Sequence, residues 1–214
     1  MSTSFKRSRS FSKQGGFTLV ELLVVSAIII IITAFLLLRQ SSFNSAIILR
    51  GLAYSVALSV RQAQVYGTSV LGVGAAGSPQ YAPAYGLYFD KDQSGQYVLF
   101  SDLPPGNGVY DSGEVVKTFL LGKGYTMTKF CVQGTQNRCS GGGAGDIAYL
   151  SILFKRPNPD ALFVALDSTK TSFSNEVYSQ SYVRVQSANG AYRNVIISAT
   201  GQVSVSAPNA AEPW

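Results

Sequence analysis

The chain has 214 residues, with 17 Lys and Arg against 11 Asp and Glu, a formal charge of +6, 12 Tyr, 12 Phe, two Cys and no His. The absence of histidine removes the commonest general base and zinc ligand and argues against a serine or cysteine triad. Four of the cations, Lys6, Arg7, Arg9 and Lys13, lie in the first sixteen residues with no acid among them. The basicity is therefore that of a targeting leader and no argument for nucleic acid.

After the leader, Gly15-Gly16 opens an apolar run. From Phe17 to Leu38 there is no Lys, Arg, Asp, Asn, Gln, Pro or Gly, and the only ionisable side chain is Glu21. As a helix this stretch is roughly 33 Å long, enough to cross a bilayer core of about 30 Å. The positive-inside rule keeps the leader cytoplasmic and sends everything after Leu38 across. A signal peptide puts its small-residue cleavage site after the apolar run, whereas here the glycines precede it. Cutting after Gly16 would leave the apolar helix on a product of 198 residues (214 less 16), headed by a new α-amine on Phe17. The rival is an ordinary single-pass anchor or signal peptide, which has no use for an acid inside its apolar run.

Gly16, Phe17, Thr18, Leu19 and Glu21, followed by this helix, resemble the prepilin peptidase site of the type IV pilin family, which includes the type II secretion pseudopilins. The resemblance implies cleavage after Gly16, N-methylation of Phe17, and pairing of Glu21 with the Phe17 amine of a neighbouring subunit during assembly. Phe17 and Glu21 are four apart, which puts them on one face of a helix that starts at Phe17. Implied partners are the prepilin peptidase, other pilin or pseudopilin subunits, a pilus or secretion assembly platform, and membrane lipid.

Beyond a polar collar at Arg39-Gln-Ser-Ser42, helical spacing resumes. Leu49, Leu52, Ala53, Val56, Val60 and Ala63 recur at steps of three and four. One helix over 17–66 is expected, membrane-spanning over 17–38 and amphipathic beyond, with Gly67 ending it. Residues 67–214 read as a β-rich head. Strands are expected at 85–90 and 96–101 around a Lys91–Gly95 hairpin, then at 115–121, 125–132, 147–154, 161–167, 182–186, 192–198 and 203–206. Asn189-Gly190 is the strongest hairpin signal. The fold class is α+β: a long N-terminal helix on a mainly antiparallel head of eight or nine strands.

Three features of the head could carry chemistry. Cys131 and Cys139 enclose a short loop, and outside the cytoplasm a disulfide between them is expected, the alternative being two separate thiols. Asn107, Gly108, Asp111 and Glu114 fall at positions 5, 6, 9 and 12 of a calcium loop, the one cofactor candidate, although Leu103 and Pro105 occupy positions 1 and 3 and Asp102 is one residue out of register. Such a degraded motif more often marks a solvated turn. Finally, a strand with Arg184, an Asn-Gly turn, a strand and Gly201-Gln-Val-Ser204 resemble the end of FimT/GspH-like minor pilin heads. The Gly-Arg-x-Arg motif of the competence branch has lost both arginines here, which speaks against DNA as a partner, because cationic phosphate contacts dominate such binding.

The expectation is a structural subunit rather than an enzyme. It would reside in the cytoplasmic membrane with an extracytoplasmic head, then in a filament. The rivals are a minor pseudopilin or competence pilin at a filament tip, and a tethered binding domain that never polymerises.

Overall fold

The computed structural model describes residues 15–69, 72–73, 80–81, 84–122, 124–141, 146–173 and 176–214. The leader through Gln14, most of the connector after the helix, Lys123, residues 142–145, Ser174 and Asn175 lie outside them, as do the side chains of residues 38–43, 73, 80 and 81. One α-helix, α1, covers Leu19–Thr68. The chain divides into two compact units, Met1–Phe43 and Asn44–Trp214.

In the first unit, Leu19–Leu37 is long and apolar enough to cross a membrane, with a mean hydropathy of 2.9 and none of it buried within the chain. Its Ser26 hydroxyl donates to the Leu23 carbonyl at 2.9 Å, and the Thr33 hydroxyl to that of Ile29. Both polar side chains are thus satisfied by their own helix, as a lipid environment demands.

In the second unit, the rest of α1 buries one face. Of the six residues the spacing singled out, Leu49, Ala53, Val56, Val60 and Ala63 are buried, and Leu52 is half-buried against the same core. They meet two five-stranded antiparallel sheets. The first is ordered β5 (Val115–Leu120), β4 (Gln96–Asp102), β3 (Ala84–Asp90), β8 (Tyr149–Lys155) and β9 (Ala161–Leu166). The second is ordered β12 (Val203–Val205), β11 (Tyr192–Ser198), β10 (Gln180–Ser187), β6 (Tyr125–Gln133) and β7 (Arg138–Cys139). Two short strands, β1 (Gly72–Val73) and β2 (Gln80–Tyr81), pair with each other. One core contains helix residues together with Leu87, Phe89, Ile152 and Phe154 of the first sheet and Phe130, Val183, Val185 and Ile197 of the second. The expected antiparallel head and its nine longer strands are present, and the additional strands are too short to carry a periodicity.

One local expectation changes. Gly67 does not end the helix, which continues to Thr68. A Cβ on Gly67 would lie 2.2 Å from the Phe154 carbonyl oxygen, so the glycine is there to let β8 approach the helix. The first sheet is buried on both faces over β3 and β4. Its outer face carries a second apolar cluster of Ala84, Tyr88, Val98, Phe100 and Leu153, with Tyr110 from the loop after β4 packed on it. The Tyr110 ring lies tilted 4.8 Å from the Tyr88 ring, which explains why the alternation of a half-exposed strand is lost there.

Candidate processing and assembly site

Gly15, Gly16, Phe17 and Thr18 precede the helix in non-helical conformation, and a Cβ on either glycine would meet nothing within 4 Å. The helix starts at Leu19 because Thr18 caps it. The Thr18 hydroxyl accepts the Glu21 N–H at 3.2 Å, and the Thr18 carbonyl accepts the Leu22 N–H at 3.1 Å. Thr18 is thus the N-cap and Glu21 the third helical residue, the positions of a capping box. An acid there also faces the positive end of the helix dipole. This corrects one expectation: Phe17 lies before the first turn, so helical spacing does not place it on a face with Glu21. The capping pair was readable as Thr-x-x-Glu, a signal that the apolar run overshadows. Among the described residues the Glu21 carboxylate has no partner.

The loop between β4 and β5 gathers all four residues named for calcium. Glu114 accepts the Leu103 and Asp111 N–H groups, each at 2.9 Å. Asp102 accepts the Gly108 N–H at 3.2 Å, and Asn107 donates to Asp111 at 3.0 Å. Asp102 is buried, and burial pushes its carboxyl above the ordinary range against the Gly108 hydrogen bond, with the neighbouring Glu114 charge adding to the rise. Their oxygens therefore serve the loop's own amides, and no group of three or more metal-ligating side chains occurs among the described residues.

Cys131 and Cys139 form the expected disulfide across β6 and β7, their Cα atoms 4.1 Å apart. Arg138, beside it, makes a two-point ion pair with Glu176 at 2.8 and 2.9 Å, and Tyr178 donates to the same carboxylate at 2.8 Å. The Arg138 hydrogen bond holds the Glu176 carboxyl below its ordinary range. Gly201 adopts φ +77° in the turn before β12, and its carbonyl accepts from Arg61 at 3.2 Å and Gln64 at 3.4 Å. This turn packs on α1. Arg184 is likewise occupied, donating to Asn194 at 3.0 Å and pairing with Glu212 at 3.2 Å.

Residues 11–37 match the family described as the prokaryotic N-terminal methylation motif. No curated protein and no solved structure matched the chain. The matched segment contains Gly16, Phe17, the capping Thr18 and Glu21 at the head of an exposed apolar helix. It supports recognition of the chain as a type IV pilin or pseudopilin precursor, a kind of structural subunit rather than an enzyme family.

Proposed function

We propose that this chain is a structural subunit of a type IV pilus or a type II secretion pseudopilus. It is made as a single-pass precursor of the cytoplasmic membrane with its head outside, cut after Gly16 by prepilin peptidase, methylated on Phe17 and assembled through α1. The carrying observation is a carboxylate, Glu21, without a partner among the described residues, near the start of a helix whose every residue over Leu19–Leu37 is exposed. An acid inside the membrane costs on the order of 2.5–3.5 kcal/mol at mid-depth, and neighbouring helices that bring an amine remove that cost. Until assembly, lipid covers the apolar surface, and afterwards helices of other subunits do.

The second unit offers more of the same kind of surface. Ile47, Tyr54, Leu58 and Val65 are exposed at 55%, 46%, 68% and 60%. At about 100° per residue they fall within roughly 20° of one line on the helix face away from the head. The Cys131–Cys139 disulfide suits an oxidising compartment. The order β10, Asn-Gly turn, β11, Gly201 turn, β12 favours a minor subunit as the second reading. A minor subunit would be scarce in sheared filaments, a major one abundant.

Glu21→Gln tests the assembly role. The variant should be processed normally yet enter filaments far more slowly than wild type, and polymerisation at the wild-type rate would refute that role.

A further inference from the structure

Tyr182 is 0% exposed yet belongs to neither apolar cluster. Its neighbour Val183 points into the shared core, so Tyr182 and Arg184 project from the opposite face of β10. The segment Ser206–Trp214 covers that face. The Trp214 ring lies 5.0 Å from the Tyr182 ring, and the Tyr182 hydroxyl is 3.1 Å from Cys131 Sγ. Arg184 and Lys129 stand directly opposite each other on β10 and β6. Like charges so placed repel and call for an anion. Glu212 supplies it, 2.6 Å from Lys129 and 3.2 Å from Arg184. Arg184 also stacks 4.2 Å from the Tyr192 ring, and on the same face the Nδ2 of fully buried Asn194 has no partner among the described residues. Two cations, an aromatic floor and an aromatic wall thus make a shaped receptor built on paired strands.

Its occupant is held differently. Backbone bonds tie the segment to the sheet at Ser206, whose N–H donates to Asn194, and at Asn209, whose N–H donates to Tyr192, each at 2.9 Å. Beyond Ala210, docking rests on the Glu212 and Trp214 side chains. A short extended piece anchored by two side chains can leave while the strand-borne receptor stays formed.

We propose that this face of β6, β10 and β11 is a recognition site for an acidic, aromatic peptide segment, filled in a lone chain by its own Glu212-Pro-Trp214 and in an assembly by the same segment of a second copy. The fit to a second copy follows from sequence identity, and neighbouring copies supply a high effective concentration. The exchange rests on the filament reading, whereas the recognition site does not.

Trp214 is the sole tryptophan, so it reports on docking without interference. The chain ending at Asn209, held in detergent micelles, is titrated with synthetic Ala-Ala-Glu-Pro-Trp while tryptophan anisotropy is followed. A full-length Glu212→Gln/Trp214→Phe variant serves as a second acceptor that keeps its length. Saturable binding is expected, weakened about tenfold by Gln for Glu in the peptide or by Arg184→Ala in the acceptor. A full-length donor carrying Lys129→Ala and Arg184→Ala should associate with an acceptor, although neither self-associates through this face. Absence of saturable binding to both acceptors, binding indifferent to the glutamate, or a donor and acceptor that stay apart would overturn the proposal. None of these results touches the processing reading, which fails only if the mature product does not begin at Phe17.

Discussion

At the scale of single residues, Thr18 decides where the helix begins. Its hydroxyl takes the Glu21 N–H, which leaves the Gly16–Phe17 bond in exposed non-helical chain, the conformation in which proteases bind their substrates. Thr18→Ala should destabilise the helix start by about 1 kcal/mol, while Thr18→Ser should not. Cα chemical shifts of residues 16–20 in micelles would show the difference. Glu176 makes a second residue-scale prediction. Its carboxyl is depressed in the folded chain, chiefly by the Arg138 hydrogen bond, so the resulting stability is present above the ordinary Glu range and lost as pH falls through the lowered value. Thermal melting between about pH 6 and pH 3 should therefore fall less steeply in Glu176→Gln than in wild type, from a lower starting point. Residues of this kind divide sharply in legibility. Gly16, Phe17 and Glu21 stand out because an acid and a glycine pair are conspicuous beside an apolar run. Glu176 and Glu212 do not, because their partners Arg138 and Lys129 are distant in sequence and only the fold brings them together.

At the scale of elements, amphipathic spacing located the buried face of α1 correctly, since Leu49, Ala53, Val56, Val60 and Ala63 repeat with the helix period. The same reasoning misjudged Gly67, because a glycine needed for close approach looks in sequence like one needed for a left-handed turn. The two explanations predict different outcomes. Were Gly67 a left-handed helix cap in open space, Gly67→Asn would be nearly neutral, because asparagine tolerates that conformation. With the Phe154 backbone oxygen 2.2 Å from the added Cβ, the substitution should instead destabilise the head by roughly 1–3 kcal/mol. Chemical denaturation of the purified protein in detergent would measure it. Strand boundaries slipped by one or two residues where the period is interrupted. Ile147 is buried but lies ahead of β8, and the Tyr110 loop covers β3 and β4 so that their outer faces no longer read as polar.

At the scale of the whole molecule, the chain is two units with opposite needs. Residues 44–214 close a core of their own between α1 and two sheets, whereas Leu19–Leu37 buries nothing within the chain and must be covered by lipid or by other helices. That division, more than any motif in the head, is what a subunit of a helix-cored filament requires. The α+β class and the anchor were legible because they rest on periodicity and composition. The cover that Ser206–Trp214 provides was not, because it depends on contacts across the second sheet. Everything in the filament reading requires that the apolar helix survive processing with Phe17 at its head. Intact-mass and N-terminal sequencing of the membrane-extracted protein test this directly. The account predicts a product of 198 residues, 214 less 16, that begins at methylated Phe17. A product that begins downstream of Leu38, or a precursor that keeps its leader where prepilin peptidase is active, would contradict it.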